Sequence, residues 1–279
     1  MNKWLFLVVF LGALLTANLN FAENLTGQKH FSEILFEATF AIEGIEGGLG
    51  TCFTIGCDNH TTYLVTARHV LDSIRGDTAI IHFRMRLNNG KYKVLPYKIP
   101  IRVNDEKLYI VHKNLEVDVA VLSINSIIDS VLIKHLVPIH RSLLANENDM
   151  QKYWMHPGDE VFFLGYPFAT KSPRGLFPIL RSGYISSYPF IPLLENPFIY
   201  IDGPVYKGNS GGPVFFEFGA SIWNGRAINQ EARIFGLVSF SHRKILNDPD
   251  LKKEAIDIQV AGFVNSAYII QILDSIECR

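Results

Sequence analysis

The most informative stretch of the chain is Gly208-Asn209-Ser210-Gly211-Gly212-Pro213, which leads directly into the apolar run Val214 to Phe218. Glycines on both sides of a serine let the backbone turn tightly and bring amide N–H groups close to a bound carbonyl. Such amides stabilise the oxyanion that forms during acyl transfer. The competing interpretation is an ordinary Gly-Ser turn, which the full six-residue string disfavours. The stretch therefore predicts a nucleophilic serine at the start of a strand.

A serine hydroxyl becomes a nucleophile only when a base takes its proton. The best candidate base is His69, which follows the apolar strand end Leu64 to Thr66. Asp118 is the candidate orienting carboxylate, because a single Asp among apolar neighbours is costly to bury unless it is paired. Taken singly, His69 or Asp118 would more often be structural. Together with Ser210, in the order His, Asp, Ser, they predict a catalytic triad.

Short apolar or β-branched runs separated by Gly, Pro, Asn and Asp fill most of the chain. The gaps between them are too short for crossover helices, which disfavours a parallel α/β fold. Runs at this spacing favour an antiparallel sandwich or barrel. The predicted strands are Ile34 to Ile42, Thr51 to Ile55, Tyr63 to Thr66, Ala79 to Arg86, Lys91 to Ile101, Val119 to Ile124, Val161 to Tyr166, Ile179 to Ser186, Phe198 to Ile201, Pro213 to Phe218, Ile234 to Phe240 and Val260 to Val264.

Two segments have a helical pattern. One is Leu143 to Met155, between two strand-rich halves, and the other is Ser266 to Ile276, with Ser266 as the expected N-cap. We expect an N-terminal β-domain over 32–145, a linker over 146–156 and a C-terminal β-domain with the final helix over 157–279. The polar insertions 219–233 and 241–256 are expected to be solvated loops, with a functional lid as the alternative.

Composition excludes several classes of protein. With 26 Lys and Arg against 27 Asp and Glu, the net charge of −1 argues against a nucleic-acid binder, which would carry a basic face. The same balance disfavours electrostatic binding to a lipid surface. The three cysteines form no C-x-x-C pair, which excludes a metal site built on a cysteine cluster.

The N-terminus predicts export. Lys3 precedes an apolar run from Trp4 to Leu15, whose 12 residues are too few to span a bilayer but suit a signal peptide over 1–22. Ala17 and Ala22 compete as the cleavage site, and an uncleaved anchor or a buried helix is the alternative. No later run reaches membrane-helix length, so we expect no stable membrane span in the mature chain. The destination would be the periplasm or the medium; the Asn24 and Asn59 sequons matter only in a eukaryotic secretory pathway.

The cysteines are not expected to form a structural disulfide. If Gly50 to Ile55 is one extended strand, Cys57 lies about 16 Å along the chain from Cys52, too far for a bridge. With Cys278 near the tail, one thiol must stay unpaired in any case.

The three segments around His69, Asp118 and Ser210 resemble the chymotrypsin-like serine protease family, most closely the bacterial HtrA/Deg-type peptidases. The resemblance extends from about Ser32 to Ile276. It includes the strings at 157–161, 165–168, 182–186 and 262–264, which read PGDEV, GYPF, SGYIS and GFV. The family fold implies an all-β protein of two six-stranded antiparallel β-barrels with a C-terminal helix. It also implies an active site in the cleft between the barrels.

The resemblance assigns further roles residue by residue. The oxyanion donors would be the amides of Gly208 and Ser210, and Ser239 would support the catalytic Asp. Phe240 and Ser241 match the strand along which the substrate backbone lies. Pro204 holds the position where trypsin has its acidic specificity residue, and Ser241 replaces a pocket-wall glycine. We therefore expect cleavage after small or medium apolar side chains, with no metal or cofactor.

The chain also departs from its relatives. Asn209 stands where cleavage-activated members keep an Asp, and no Arg/Lys-Ile-Val-Gly-Gly start follows the signal, so we expect no zymogen activation by cleavage. HtrA proteins usually carry a PDZ domain after the protease, and none is expected here.

The sequence therefore predicts a secreted serine endopeptidase that acts on polypeptides through an acyl-enzyme intermediate. An esterase would use the same triad. A gated or inactive binding protein, chaperone-like and with the same fold, is the rival from another class. An α/β-hydrolase is disfavoured, although Gly208 to Gly212 fits its G-x-S-x-G string, because its residues follow the order Ser, Asp, His. The oligomeric state, the substrate and any activator stay open.

Overall fold

The computed structural model of the chain describes residues 30–218, 222–223, 226–227, 231–246 and 254–278. The predicted signal peptide, the Asn24 sequon and much of the insertion at 219–233 lie outside these residues. The α-helices are α1 (Phe31–Ala38), α2 (Arg68–Ser73), α3 (Ser130–His135), α4 (Glu147–Lys152) and α5 (Ser266–Ser275), and 3₁₀ turns cover Arg141–Leu143, Pro167–Ala169 and Leu193–Glu195.

Ten strands belong to the first half of the chain. They are β1 (Thr39–Gly44), β2 (Leu49–Gly56), β3 (Thr62–Thr66), β4 (Thr78–Arg86), β5 (Tyr92–Pro100), β6 (Arg102–Val103), β7 (Glu106–Lys107), β8 (Ile110–Val111), β9 (Ala120–Ser123) and β10 (Ile139–His140).

Eight strands belong to the second half. They are β11 (Glu160–Gly165), β12 (Ile179–Ile185), β13 (Phe198–Asp202), β14 (Pro213–Phe218), β15 (Ile222–Trp223), β16 (Arg226–Ala227), β17 (Glu231–Leu246) and β18 (Glu254–Asn265).

The first half forms an eight-stranded sheet in the order β5-β4-β1-β2-β3-β9-β8, with β10 added parallel to β2. Its buried face carries large apolar side chains, such as Phe40 and Phe83, whose rings meet edge to face with centroids 5.0 Å apart. Burying an aromatic side chain of this size contributes about 1.5–3 kcal/mol. The alternation of buried and partly buried positions along most of β4 shows why the sequence pattern predicted strands here.

This first sheet does not close into the six-stranded barrel that the family resemblance implies. Closure would require the two edge strands, β5 and β8, to pair with each other. Instead, the chain leaves β5 and forms the small hairpin of β6 and β7, where Leu108 donates its N–H to the carbonyl of Ile101 at 3.0 Å.

The second half forms a closed barrel in the order β11-β12-β13-β18-β17-β14. All its pairings are antiparallel, and its interior is filled by aromatic and branched side chains. Phe163, Phe235 and Phe263 are fully buried in this core. The all-β prediction with a closed C-terminal barrel and a final helix is therefore confirmed, with the open first sheet as the difference. From Leu35 onward the chain packs as one compact unit.

The segment between the halves carries the short helix α4 instead of the longer helix expected over Leu143 to Met155. The Asn146 side chain caps α4 by accepting hydrogen bonds from the N–H groups of Asn148 and Asp149. In return, the Asp149 carboxylate accepts the backbone N–H of Asn146. Before it, Ala145 donates its N–H to the carbonyl of Ile234 in β17 at 2.8 Å. These contacts fix the connection to the second barrel.

Three predictions of local structure are corrected. Residues 34–38 belong to α1 and not to a strand, because Leu35 and Ala38, three positions apart, bury one helical face. The N-cap of α5 is Asn265 and not Ser266, since the Asn265 side chain accepts the N–H of Ala267 at 3.0 Å. In the insertion 241–256, β17 continues to Leu246 and β18 begins at Glu254, which makes a long hairpin of a segment expected to be a loop.

The expectation of no structural disulfide is wrong. Cys57 and Cys278 are bonded, with their Cα atoms 5.4 Å apart. Cys52 is the free and fully buried thiol, and burial raises its pKa. The spacing of Cys52 and Cys57 gives no sign of the bridge, because it joins residues 221 positions apart that the fold brings together. It ties the end of the chain, just after α5, to the loop after β2.

Among the described residues, no helix combines the length and the apolar character needed to cross a membrane.

Candidate functional site

Neighbouring strands of the first sheet bring His69 and Asp118 together. Thr66, at the end of β3, pairs with Ala120, at the start of β9. His69 lies three residues after that end, in α2, and Asp118 lies two residues before that start. Because the two strands are antiparallel, the end of one lies beside the start of the other. The pairing therefore places the imidazole and the carboxylate at the same edge of the sheet.

The Asp118 carboxylate is held by three hydrogen bonds. Its Oδ2 accepts from His69 Nδ1 at 2.6 Å and from the Ser239 hydroxyl at 2.6 Å, and its Oδ1 accepts from the His69 backbone N–H at 2.9 Å. Burial acts to raise the pKa of Asp118, but the hydrogen bonds and the attraction of His69 outweigh it and lower the pKa below its usual range. The carboxylate is therefore ionised at neutral pH.

An ionised carboxylate can only accept hydrogen bonds, so His69 must carry its proton on Nδ1. The other ring nitrogen, Nε2, then has a free lone pair and can act as a base. The His69 side chain is half exposed, whereas that of Asp118 is only 11% exposed. The reactive edge of the imidazole therefore faces outward while its orienting group is buried.

The loop that carries Ser210 is shaped by two glycines with positive φ. Gly208 has φ +99° and Gly211 has φ +85°. A Cβ at Gly208 would lie 2.2 Å from the Tyr166 carbonyl oxygen, and one at Gly211 would lie 2.1 Å from the Thr51 carbonyl oxygen. No larger residue fits either position without moving the backbone. The Ser210 carbonyl is fixed from the first sheet, since it accepts the N–H of Thr51 at 2.8 Å.

The Ser210 hydroxyl donates to the Ser239 carbonyl oxygen at 3.1 Å, and no hydrogen bond joins it to His69 within the described part of the chain. Ser210 as a whole is half-buried. The position of its hydroxyl depends on rotation about one bond, Cα–Cβ, because the backbone itself is fixed. Rotation about that bond changes which acceptor the hydroxyl can reach.

The amides of Gly208 and Ser210 are both available as donors. The Lys207 carbonyl accepts from Phe168 N–H at 2.8 Å, and the Asn209 carbonyl accepts from Gly212 N–H at 2.9 Å. In a trans peptide the N–H points away from the C=O of the same unit. The amides of Gly208 and Ser210 therefore point away from these contacts, and neither donates to an acceptor among the described residues. Two such amides can hold a developing oxyanion.

Asn209, between the two amides, is fully buried, and neither polar atom of its side chain has a hydrogen-bond partner among the described residues. Its side chain packs against the backbone of Gly165, where a Cβ would lie 2.9 Å from Asn209 Oδ1. Asn209 therefore forms no ion pair at the position where cleavage-activated members of the family keep an Asp.

The residues predicted to contact substrate lie in β17 and just after β13. Ser239 sits at an irregularity of β17, where the register shifts between Val238 and Phe240. Phe240 pairs with Gly262 in β18 and packs its ring edge to face on Phe198, with centroids 5.0 Å apart. Ser241 pairs with Ala261. Pro204 is half-buried just after β13.

Sequence reasoning missed Thr51, whose hydroxyl donates to the Gly208 carbonyl at 2.7 Å. It also missed the role of the backbone of Tyr166 and Phe168, although their string was noted in the family resemblance. Tyr166 N–H lies 3.4 Å from the Gly208 carbonyl. No sequence signal marks Thr51, because it meets the serine loop only after the two halves pack. Within the described part of the chain, no cluster of three or more metal-ligating side chains is present.

A family model for the trypsin-like peptidase domain matches residues 50–220. The match covers more than half of the 279 residues and includes His69, Asp118 and Ser210. The chain belongs to the trypsin-like peptidase family. A search of the curated proteins found no match. The closer likeness to HtrA/Deg-type peptidases and the lack of a PDZ domain stay predictions.

Proposed function

We propose that the protein is an exported serine endopeptidase that hydrolyses peptide bonds through an acyl-enzyme intermediate. The observation that carries the proposal is the chain of contacts from Ser239 through Asp118 to His69, beside a serine flanked by two unengaged amides. This arrangement supplies the orienting group, the base, the nucleophile and the oxyanion donors that acyl transfer needs.

In the proposed reaction, Ser210 Oγ attacks the substrate carbonyl carbon while His69 Nε2 takes the hydroxyl proton. The negative charge on the former carbonyl oxygen is held by the amides of Gly208 and Ser210. The tetrahedral intermediate collapses, the C–N bond breaks and His69 returns the proton to the leaving amine. Water then attacks the Ser210 ester with His69 as base, which releases the acid and regenerates the serine. Asp118 stays ionised throughout and stabilises the imidazolium.

Export is supported by two independent features. The first is the apolar run near the N-terminus, which has the length of a signal peptide. The second is the Cys57–Cys278 bridge, since structural disulfides persist mainly in oxidising compartments such as the periplasm or the cell exterior.

For specificity, we propose that the enzyme cleaves after small or medium apolar side chains. Pro204 offers no charge at the position that binds basic residues in trypsin, and Asp202 is exposed in β13, outside that position. A peptide library with varied residues before the scissile bond measures this preference. A preference for Lys or Arg would contradict it, and loss of that preference in Asp202→Asn would show that Asp202 sets it.

The test of the function is hydrolysis of an unfolded protein substrate, followed by mass spectrometry of the products. The purified wild type should cleave, and Ser210→Ala should lose about 10⁶-fold in kcat. Ser142→Ala is a matched control, because Ser142 also contacts a histidine that contacts an aspartate: Ser142 Oγ lies 2.7 Å from His140 Nδ1, and His140 Nε2 lies 2.9 Å from Asp58. That exposed set caps a 3₁₀ turn and should leave hydrolysis unchanged.

The second candidate is a gated or inactive protein with this fold that binds polypeptides. The hydrogen bond from Ser210 to the Ser239 carbonyl favours it, because the nucleophile is not engaged with its base. A folded wild type that binds unfolded polypeptides without cleaving them would support this candidate.

A further inference from the structure

Arg84, in β4, is a buried cation that forms no ion pair within the described part of the chain. The residue is 4% exposed. Its Nη1 donates to the Tyr166 hydroxyl at 3.0 Å and to the Leu176 carbonyl at 3.3 Å. Its Nη2 donates to backbone carbonyls near the start of β1, those of Phe36 at 2.7 Å, Glu37 at 3.4 Å and Thr39.

Two aromatic rings lie against the guanidinium. Its central carbon lies 4.6 Å from the Phe40 ring centroid and 4.4 Å from that of Phe177. A buried charge without a counter-ion is costly, and an apolar side chain of similar volume would pack here without that cost. The planar fork of an arginine can, however, fix several carbonyls and a hydroxyl in one plane. This suggests a role in positioning rather than in stability.

The groups that Arg84 joins come from both halves of the chain. Thr39 and Phe40 belong to the first sheet, whereas Tyr166, Leu176 and Phe177 follow β11 of the second barrel. Tyr166 is fully buried, and burial is the main reason its pKa is raised to about 12. Its hydroxyl therefore stays protonated and can accept from Arg84 while donating to the Leu176 carbonyl at 3.1 Å.

Beyond Tyr166, the chain makes a turn with positive φ at two residues that are not glycine. Phe168 has φ +51° and Ala169 has φ +63°. Such conformations are unfavourable for residues with a Cβ, so the surroundings must hold them. On one side the Tyr166 side chain anchors the turn to Arg84. On the other, Phe168 N–H donates to the Lys207 carbonyl at 2.8 Å, so the Gly208 N–H of the same peptide points the opposite way.

We propose that Arg84 is a positioning residue that acts through Tyr166. It holds the 166–169 turn in the conformation in which Phe168 retains the Lys207 carbonyl, so that the Gly208 amide can donate to the oxyanion. Without this anchor, the 207–208 peptide can rotate and place a carbonyl where the donor is needed. The inference rests on the proposed peptidase function for its kinetic consequence, but not for its structural one.

Two substitutions test the proposal. Tyr166→Phe removes only the hydroxyl, and Arg84→Met removes the charge while keeping an unbranched chain between the two rings. Each should lower kcat about 10- to 100-fold, since a displaced oxyanion donor acts on the transition state. KM should change less than about twofold, because ground-state binding is unaffected. Arg84→Lys, which keeps the charge but not the fork, should not restore kcat.

Tyr92→Phe is the matched control. Tyr92 packs on the same Phe177 ring, with centroids 4.9 Å apart, but its hydroxyl bonds Glu37 at 2.6 Å and not Arg84. Its kcat should equal that of the wild type. A merely structural role of Arg84 would lower the stability of the Arg84 and Tyr166 variants and leave kcat of their folded fraction unchanged.

Amide hydrogen exchange separates this proposal from the proposed function. The Phe168 amide should be protected in the wild type and should exchange at least about tenfold faster in Tyr166→Phe, whether or not the chain is a peptidase. Unchanged exchange in a folded Tyr166→Phe, or unchanged kcat in an active one, overturns the proposal. If Arg84→Met fails to fold, Tyr166→Phe alone decides. A wild type without hydrolysis contradicts the proposed function and leaves the exchange result to judge this inference.

Discussion

The hydroxyl of Ser210 donates a hydrogen bond to the carbonyl oxygen of Ser239, at 3.1 Å. Ser239 also donates its own hydroxyl to Asp118, which in turn holds His69. One residue of β17 therefore contacts both the proposed nucleophile and the group that orients its base. A substrate backbone that binds along β17 would compete for the same carbonyl. Loss of that acceptor would release the Ser210 hydroxyl toward His69.

Removal of the Ser239 hydroxyl should raise the pKa of Asp118. Ser239→Ala deletes one of the hydrogen bonds that lower this pKa, while burial, which raises it, remains. Carbon-13 NMR of the Asp118 carboxyl, titrated with acid, measures the shift. An unchanged titration in Ser239→Ala would show that this hydrogen bond does not stabilise the carboxylate, and Ser142→Ala serves as the control.

The same substitution should change acid stability. In the folded wild type the pKa of Asp118 lies below its unfolded value, about 3.9 for an Asp. Its ionisation therefore contributes stability that is complete above that pH and is lost as the pH falls through the lower folded pKa. In Ser239→Ala the difference between the two values is smaller, so this contribution is smaller and its loss occurs at higher pH. Acid unfolding followed by circular dichroism checks this order.

Asp118→Asn should leave the fold intact and lower kcat by about 10⁴-fold, as loss of the orienting carboxylate does in Ser-His-Asp enzymes. The asparagine amide can donate to Nδ1 and so favours the wrong tautomer of His69. Asp58→Asn is the matched control, because Asp58 contacts His140 at 2.9 Å on the surface. Equal kcat values in the two variants would remove Asp118 from the mechanism.

Gly208→Ala should lower kcat at least about 10²-fold, because the Cβ would collide with the Tyr166 carbonyl and displace an oxyanion donor. Gly158→Ala is a close control: its φ of +97° nearly equals the +99° of Gly208, and a Cβ there would meet no atom within 4 Å. It should lose about 1–2 kcal/mol of stability from the backbone conformation alone. If both variants keep wild-type kcat, the Gly208 amide is not a donor.

Reduction of the Cys57–Cys278 bridge should destabilise the protein by about 2–5 kcal/mol. Urea unfolding with and without reductant measures the change, and Cys52→Ala should keep the full dependence on reductant. Alkylation of the unfolded, unreduced chain should modify Cys52 alone, the free thiol. Modification of all three cysteines without reductant would contradict the bridge.

Local patterns predicted most of the strands, because their buried faces alternate with exposed ones or are continuously apolar. Thr62–Thr66 and Pro213–Phe218 lie where such runs were found. The failures have particular causes. Residues 34–38 are apolar enough to form a strand or a helix. They form a helix, which buries Leu35 and Ala38 on one face. Polarity at 241–256 indicates exposure and not backbone conformation, so the long hairpin was missed.

In the candidate site, too, some residues could be predicted from local sequence and others could not. His69, Asp118 and Ser210 could be proposed from sequence, because each has a local setting that calls for its chemistry. Thr51 and Arg84 could not, since their importance comes from contacts between the two halves. The disulfide could not be predicted for the same reason, because its two cysteines meet only after the fold has formed.

The most direct test of the proposed mechanism is labelling of the purified protein with a fluorophosphonate, followed by mass spectrometry of the modified peptide. A fluorophosphonate reacts with a serine that has both an aligned base and an oxyanion site. We expect modification at Ser210 and none at Ser142, with labelling abolished in Ser210→Ala. A folded wild-type chain that takes no label at Ser210, with or without a peptide bound, would contradict it.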